Sequence, residues 1–175
     1  KQAEVESLCD RKNSDIEMLN GILSKYNAVL IEKNHFQTYA KSNMGEKAIY
    51  THSLIKLNKD PKINVQELLT CTDILISDYS GAFLDFTLLD KPIIHFAYDY
   101  DYYKNVDSGL YYDIKDFSAG KIALSFEEVL SELDYLLAGN DDCVEKRRQV
   151  REEFMTYERG CASKFICEKV LQFNE

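Results

Sequence analysis

The chain of 175 residues is long enough for one domain with a sizeable core, and 45% hydrophobic and 29% charged residues are ordinary values for a globular protein. Its net charge of −9 disfavours non-specific binding to nucleic acid and to anionic lipid. Five cysteines without a CxxC pair predict a reduced, cytoplasmic compartment rather than a disulfide framework or a zinc site. No apolar run approaches the roughly 20 residues that span a bilayer, so no membrane segment is expected in this chain.

The first third of the chain alternates between helical and strand-like patterns. Residues 1–26 are predicted to form a helix, because apolar residues recur there at helical spacing. Strands are predicted at 28–34, an aliphatic run with β-branched residues, and at 48–53. A short helix is predicted to begin at Asn64, with Glu67 three residues later completing a capping-box pattern.

Two apolar runs flank a helical pattern in the middle of the chain. The run at 73–77 is nearly all apolar and is predicted to be a strand covered on both faces. A second buried strand is predicted at 92–97, where Pro92 is tolerated at the first position. The helix between them is predicted over 80–90 from the spacing of its apolar side chains, Ala82, Phe83, Phe86 and Leu89.

Helices dominate the last third of the chain. Residues 98–124 are acidic and aromatic and are predicted to be rich in loops, with two short strands. A helix with a second capping box is predicted from Ser125 to Gly139. Residues 142–175 are predicted to form one or two further helices, broken near Gly160. The alternation of buried strands and helices indicates a single α/β domain with a mostly parallel sheet flanked by helices.

Ligands of open parallel sheets bind in the crevice beyond the carboxyl ends of the strands. Polar residues follow three of the predicted strands, so this rule selects three candidate places. They are Lys33-Asn34-His35, Asp78-Tyr79-Ser80-Gly81, and the loop that begins at Tyr98.

The second of these places has the features of a phosphate-binding turn. If a helix begins near Ser80, its first backbone N–H groups have no partner within the helix and can donate to an anion, which the helix dipole also favours. Gly81 lets a phosphate approach the backbone, the Ser80 hydroxyl adds a donor, and Asp85 can accept from ribose hydroxyls. The same residues also fit a structural role, with Ser80 as a helix cap and Asp85 as a solvated acid near the helix start. The residues alone leave both interpretations open.

The three histidines divide into one candidate and two structural positions. His35 follows a strand beside Lys33, where an imidazole can donate to a phosphate and offset developing charge, or simply bond to backbone. His52 and His95 are expected to be structural, His95 as a satisfied core histidine. The sequence has no metal-ligand spacing and no Ser-His-Asp signature, so no metal or other cofactor is expected. The Asp-Tyr cluster at 98–103 is expected to be a solvated loop.

A series of short motifs runs through the chain in a fixed order. "LIEKNH" (30–35), "SGLYYD" (108–113) and "YERGCASKFI" (157–166) surround a denser block at 68–93. That block holds Leu68-Leu69, Asp73, Asp78-Tyr79-Ser80, Asp85-Phe86 and Leu88-Leu89-Asp90-Lys91-Pro92-Ile93. The ordered set, over roughly residues 28–173, resembles the CDP-glycerol glycerophosphotransferase family. This family comprises the teichoic-acid primases and polymerases and their relatives that transfer ribitol phosphate.

Three positions depart from the family's pattern. Phe36 stands where the family usually has Pro after its histidine, and Gly81 replaces the second serine of the turn. Ala119-Gly120-Lys121 replaces a Pro-Gly-Pro before the last strand. The change at Gly81 removes one hydroxyl from the phosphate-binding turn and leaves its backbone donors.

The resemblance implies a two-domain architecture of the GT-B glycosyltransferase type, of which this chain matches the C-terminal, Rossmann-like half that binds the nucleotide donor. The implied reaction is attack by an acceptor hydroxyl on the glycerol-linked phosphate of CDP-glycerol, or of a related CDP-polyol, with release of CMP. In that reaction Lys33 and the turn Asp78-Tyr79-Ser80-Gly81 would bind the donor, Asp85 would hold its ribose, and His35 would neutralise charge at the phosphoryl oxygens as the catalytic residue. The acceptor-side half, which would supply the base, is expected to lie outside this chain.

The resemblance also implies a partner and a location for the full-length protein. The acceptor would be a lipid-linked or polymeric component of the cell envelope, such as teichoic acid or capsule. The protein would then be cytoplasmic and peripheral on the inner face of the cell membrane. Two alternatives remain: a non-catalytic α/β interaction module that has lost the ligand, and a nucleotide-binding domain of the UDP-sugar glycosyltransferase or epimerase type.

Overall fold

The structure is a computed structural model that describes residues 8, 11–33, 53–56, 64–105, 113–156 and 160–172. Helices and strands alternate along most of this part of the chain. The helices are α1 (Asn13–Lys25), α2 (Val65–Thr70), α3 (Ala82–Thr87), α4 (Tyr100–Asn105), α5 (Ile114–Phe117), α6 (Phe126–Leu137), α7 (Val144–Phe154) and α8 (Ala162–Gln172). The strands are β1 (Leu30–Glu32), β2 (Leu54–Lys56), β3 (Leu75–Ser77), β4 (Ile93–Phe96) and β5 (Lys121–Ala123).

All of the described strand pairs are parallel. β1 pairs with β2, with Leu30 opposite Leu54. β4 lies between β3 and β5, with Ser77 opposite His95 on one side and Phe96 opposite Ala123 on the other. The predicted α/β class with parallel strands flanked by helices is therefore confirmed.

The apolar faces of the elements form two large clusters on either side of β4. One cluster joins α1, β2, β4, β5 and α6, and consists of Leu19, Leu23, Leu54, Ile94, Phe96, Ala123, Phe126, Val129, Leu130, Leu133 and Leu136. The other joins α2, α3, β4 and α7, and consists of Leu69, Phe83, Phe86, Ile93, Ala119 and Val150. Every residue of β4 is buried, because helices cover both faces of this central strand.

The predicted caps explain where several helices begin and end. The side chain of Asn64 accepts from the N–H of Gln66, and the Ser125 hydroxyl accepts from the N–H of Glu128. The Glu128 carboxylate in turn accepts from the N–H of Leu124, so the capping box forms with the residue before the cap. Gly139, in the left-handed region at φ 90°, ends α6 in a Schellman motif.

Several predicted boundaries differ from the structure. α1 begins at Asn13, most of residues 1–10 lies outside the described part, and of the predicted strand at 48–53 only Ser53 is described, as a bend before β2. β3 is shorter than predicted and only partly buried, so it is not covered on both faces as expected. Leu89, predicted on the apolar face of α3, is 37% exposed because the helix ends at Thr87.

The region 98–124 differs most from the prediction, since it holds the helices α4 and α5 and the single strand β5 among its described residues. Two short strands were expected there. Tyr100 donates to the carboxylate of Asp113 and so joins the two helices across 13 residues of sequence. The helical form is therefore stabilised by a contact that no local pattern contains.

A buried arginine fixes the connection from α3 to β4. Asp90 in this connection has a left-handed backbone at φ 55°. Arg147 of α7 is only 1% exposed. Its Nε donates to Oδ1 of Asp90 and its Nη2 donates to the carbonyl oxygen of Asp90, each at 3.2 Å. Nη2 also contacts Asp141 at 2.8 Å. The carboxylates offset the cost of burying the guanidinium and hold the turn in its strained conformation.

Candidate functional site

The candidate site lies at one edge of the three-stranded sheet. Because β3, β4 and β5 are parallel, the turn after β3 and the loop after β4 both leave the sheet at its carboxyl edge. The turn holds residues 78–81 and leads directly into α3. The loop leads into α4.

The turn is closed by its own side chains. The Asp78 carboxylate accepts from the N–H of Ser80 at 2.9 Å, and the Ser80 hydroxyl accepts from the N–H of Ala82 at 3.4 Å. The N–H of Phe83 and of Leu84 also have backbone acceptors in the turn. The prediction of unpaired donors at this helix start is therefore wrong for these four groups, because the side chains of Asp78 and Ser80 accept from two of them and backbone carbonyls of the turn accept from the other two.

Gly81 is the open point of the turn. It is exposed, and a Cβ atom built on it would meet nothing within 4 Å. A ligand can therefore approach the backbone here without displacing a side chain. Asp85 lies four residues further along, in the first turn of α3, and its carboxylate is exposed and makes no hydrogen bond or ion pair to another described residue.

The first predicted place is only partly described. Lys33 is exposed at the end of β1, in the other sheet, and no hydrogen bond or ion pair joins it to the turn at 78–81 among the described residues. Asn34 and the predicted catalytic residue His35 lie outside the described residues. The structure thus groups five of the predicted residues, Asp78, Tyr79, Ser80, Gly81 and Asp85, around one turn.

Tyr79 ties this turn to the loop after β4. Its hydroxyl donates to Oδ1 of Asp99 at 3.1 Å, and its ring stacks on Tyr103 with centroids 4.0 Å apart and planes inclined by 14°. Burial raises the pKa of Tyr79 well above its usual range, and the Asp99 carboxylate adds to the increase. The phenol is therefore a hydrogen-bond donor at neutral pH and a structural tie between the two loops.

A cavity of about 450 Å³ opens beside this tie, at the ends of β4 and β5. Residues 97–102 line it together with Lys115 and Leu124. This is the third predicted place, and the structure corrects the expectation of a solvated loop: Tyr100 is buried and the segment turns into α4. The sequence feature that marks this cavity is the regular alternation of Asp and Tyr directly after a buried strand.

A charged cluster behind the cavity was missed at the level of sequence. Lys104 donates to Asp113 at 2.6 Å and to the hydroxyl of Tyr100 at 3.2 Å, and the ammonium group of Lys115 lies 4.4 Å from the Tyr100 ring centroid. The hydrogen bonds from Lys104 and Tyr100 lower the pKa of the Asp113 carboxyl below its usual range. The members lie on α4 and α5, which the sequence did not predict.

His95 lies in β4, opposite Ser77 at the end of β3. Its ring is fully buried, and Nε2 accepts from the N–H of Ala119 at 3.1 Å. Burial lowers its pKa to about 4. The prediction of a satisfied core histidine is confirmed for its burial and for Nε2, whereas Nδ1 has no hydrogen-bond partner among the described residues.

Two kinds of feature are absent from the described part of the chain. No group of three or more His, Cys, Asp or Glu side chains is arranged to hold a metal ion. None of the described helices combines the length and the apolar character needed to cross a membrane.

Comparisons with known proteins match nearly the whole chain to one protein family. Residues 4–172 match the family CDP-Glycerol:Poly(glycerophosphate) glycerophosphotransferase. The chain is 28% identical over 158 residues to the teichoic acid poly(glycerol phosphate) polymerase of Bacillus spizizenii, covering 90% of this chain and 38% of that protein. It is 31% identical over 120 residues to the teichoic acid ribitol-phosphate polymerase TarL of Staphylococcus aureus, covering 69% of this chain and 20% of the relative.

Solved structures agree at the level of the fold. A variant of the wall teichoic acid polymerase TagF superposes with a TM-score of 0.68 at 22% identity, covering 98% of this chain and 41% of that one. A TagF variant soaked with CDPG superposes with a TM-score of 0.66. The chain spans less than half the length of each of these proteins. Since the family match runs over nearly the whole sequence, the chain belongs to the CDP-glycerol:poly(glycerophosphate) glycerophosphotransferase family.

Proposed function

We propose that this chain is the donor-nucleotide domain of a CDP-glycerol, or related CDP-polyol, glycerophosphotransferase. The full-length enzyme would transfer glycerol phosphate to a cell-envelope polymer such as teichoic acid or capsule and release CMP. The family match over residues 4–172 carries the proposal, because it includes the whole carboxyl edge of the sheet. The chain would be the C-terminal half of a GT-B arrangement, with the acceptor site on the other half.

The proposed reaction is a phosphoryl transfer. An acceptor hydroxyl attacks the phosphorus atom bonded to glycerol, the bond from that phosphorus to the bridging oxygen of CMP breaks, and the hydroxyl proton passes to a base on the acceptor-side half. Such a step depends on positioning the phosphates and stabilising charge on their oxygens. No metal or other cofactor enters this scheme.

The turn at 78–81 supplies hydrogen-bond donors for the donor phosphates in this proposal. Open space at Gly81 lets a phosphate oxygen approach the backbone, and the Ser80 hydroxyl lies beside it. The phosphate competes with the Asp78 carboxylate, which accepts from the N–H of Ser80 in the structure. Asp85 has an exposed carboxylate one turn further along that can accept from ribose hydroxyls.

Lys33 and His35 complete the proposed site from the end of β1. Lys33 would add a positive charge near the phosphates, and His35 would stabilise charge on the transferred phosphoryl group. Tyr79 contributes by holding the turn against Asp99 and Tyr103. In the full-length protein, the acceptor is proposed to be lipid-linked, which would place the enzyme peripherally on the cytoplasmic face of the membrane.

Calorimetric titration with CDP-glycerol, CDP, UDP and UDP-GlcNAc tests the proposal. We expect the cytidine ligands to bind and the double variant Ser80→Ala/Asp85→Ala to lose that binding while the domain stays folded at the temperature of the titration, since both side chains are exposed. The matched control Ser131→Ala/Glu153→Ala removes a hydroxyl and a carboxylate from exposed positions on α6 and α7 and is expected to bind like the parent.

The other outcomes decide between the alternatives. A double variant that binds CDP as tightly as the parent would show that the site is assigned to the wrong residues. Preference for UDP or UDP-GlcNAc over the cytidine ligands would identify a UDP-sugar domain instead. Binding of none of the four ligands would contradict donor binding by this chain and favour a non-catalytic interaction module.

A further inference from the structure

The cavity at the ends of β4 and β5 has a lining of mixed chemistry. Its volume of about 450 Å³ lies within the range of roughly 300–1,000 Å³ that small-molecule sites occupy. Two acids, Asp99 and Asp101, and one base, Lys115, line it together with tyrosines and the side chain of Leu124. Because two carboxylates and one ammonium group leave a formal charge of −1, the lining suits a neutral polar group better than a further phosphate.

Several polar groups of this lining are left for a ligand. Oδ1 of Asp99 accepts from Tyr79, and Oδ2 makes no hydrogen bond or ion pair to another described residue. The side chain of Asp101 is exposed and has no such partner in the described part of the chain either. The ammonium group of Lys115 lies 4.4 Å from the ring centroid of Tyr100 and forms no ion pair within the described ranges. Carboxylates accept from hydroxyls and an ammonium group donates to them, so this combination matches a group with several hydroxyls.

The walls of the cavity are held in place without a ligand. The Asp113 carboxylate accepts from the hydroxyl of Tyr100 and from the ammonium group of Lys104, each at 2.6 Å. It also accepts from the backbone N–H of Lys115 at 3.0 Å. These contacts join α4 to α5, the two helices that contribute Tyr100 and Lys115 to the lining. A preformed wall lowers the entropic cost of ordering side chains around a ligand.

Tyr79 connects the cavity to the turn at 78–81. Its backbone belongs to the turn, next to Ser80, and its hydroxyl donates to Oδ1 of Asp99 in the cavity lining at 3.1 Å. Its ring stacks on Tyr103 of α4. The turn and the lining of the cavity are thus one side chain apart, so one ligand can contact both.

The covalent order of the proposed donor indicates which group the cavity would hold. In a CDP-polyol the cytosine is bonded to the ribose, the ribose to the two phosphates, and the terminal phosphate to the polyol. With the phosphates at the turn and the ribose at Asp85, the group still to be placed next to the phosphates is the polyol.

We propose that the cavity beside the turn binds the polyol of the donor, with Asp99 and Asp101 accepting from its hydroxyls and Lys115 donating to them. The inference rests on the proposed function for the phosphates and the ribose, and it adds a separate subsite for the group that is transferred. A cavity that holds the cytosine base between its tyrosines is the competing explanation.

Two variants remove acceptors from the cavity and are expected to keep the fold. In Asp99→Asn the amide oxygen still accepts from Tyr79, so the amide nitrogen, a donor, replaces Oδ2. Asp101→Ala removes an exposed carboxylate from the first turn of α4. The matched control Asp116→Ala removes an exposed carboxylate from the first turn of α5, outside the cavity lining.

Calorimetric titration of each variant with CDP and with CDP-glycerol separates the polyol from the rest of the donor. We expect Asp99→Asn and Asp101→Ala each to bind CDP-glycerol about tenfold more weakly than the parent, the effect of losing one hydrogen bond to a charged acceptor. Both are expected to bind CDP within about twofold of the parent, because CDP has no polyol. Asp116→Ala is expected to bind both ligands like the parent.

Three results would overturn the inference while the parent still binds CDP and the proposed function stands. Equal weakening of CDP and CDP-glycerol would show that the cavity holds the nucleotide part of the donor. Unchanged or tighter binding of both ligands would show that the carboxylates do not contact the polyol. The same change in Asp116→Ala would show an effect of net charge alone. If the parent binds neither ligand, the proposed function fails, and the polyol site fails with it.

Discussion

The same substitution, Gly→Ala, is expected to change stability in opposite directions at two positions. Gly120 lies just before β5, where the backbone of β4 passes very close. A Cβ atom added to Gly120 would lie 1.8 Å from the carbonyl oxygen of Ile93, 2.6 Å from its carbonyl carbon and 2.9 Å from its Cβ atom. Two of these atoms are backbone, so no side-chain rotation relieves the overlap.

The size of the effect follows from what would have to move. Separating the Cβ atom from the Ile93 carbonyl needs a shift of more than about 1 Å, because contacts under about 3 Å do not persist in packed interiors. β4 is buried along its whole length and is paired on both sides, so it cannot move without disturbing β3 and β5. We expect Gly120→Ala to lower the free energy of unfolding by about 3 kcal/mol or more, at the upper end of overpacking effects.

Gly21 is the matched control. It is exposed in the middle of α1, and a Cβ atom there would meet nothing within 4 Å. Alanine has a higher helix propensity than glycine, so Gly21→Ala is expected to raise the free energy of unfolding by about 0.5–1 kcal/mol. Urea unfolding followed by circular dichroism measures both values. A Gly120→Ala variant within about 0.5 kcal/mol of the parent would refute the reasoning, because the overlap would then have been relieved at no cost.

Two other predictions concern buried charge and buried imidazole. Arg147→Ala removes the two hydrogen bonds that hold the left-handed turn at Asp90, and it is expected to lower the free energy of unfolding by about 3 kcal/mol. A decrease below about 1 kcal/mol in urea unfolding would contradict this role of Arg147. Burial and the nearby Lys146 lower the pKa of His95 to about 4. Between pH 6.5 and 4 the imidazole of His95 is therefore protonated in the unfolded chain and neutral in the folded chain. Stability is therefore expected to fall by about 3 kcal/mol as pH drops through this window, and the difference between parent and His95→Gln in unfolding curves at successive pH values isolates this contribution.

The elements predicted well are those whose signals are local. The helix α6 has a cap at Ser125, an apolar face at helical spacing and a glycine at its end, and all three agree with the structure. The strand β4 is a short apolar run next to a proline, and the structure confirms it. Hydrophobic periodicity and capping act within a few residues, so the sequence contains them in full.

The elements predicted poorly depend on contacts between distant residues. α4 and α5 are short helices held together by Tyr100, Lys104 and Asp113, which no window of sequence brings together. The contact of Arg147 with Asp90 spans 57 residues, and no local pattern links the two residues. Tertiary contacts override weak local preferences in such segments, so periodicity gives no information about them.

The structure has a turn at the predicted place, the end of β3, but the hydrogen bonds of that turn differ from the prediction. The sequence predicted free backbone donors, whereas the Asp78 carboxylate occupies the N–H of Ser80 in the structure. No lysine or arginine forms a hydrogen bond or ion pair with the turn among the described residues, and Lys104 is already paired with Asp113. Within the turn itself, the neutral donors at Ser80 and Gly81 are therefore the groups available to a phosphate.

Dependence on neutral donors makes the placement of the turn decisive. The attraction of a charged side chain for a phosphate falls slowly with distance, whereas a neutral hydrogen bond weakens steeply outside its narrow range of distance and angle. A site of this kind needs a rigid turn, and two separate contacts hold this one: Asp78 closes it, and Tyr79 ties it to Asp99. Loosening either of them should weaken donor binding more than it weakens the fold, since each acts on the turn and neither crosses the main apolar core.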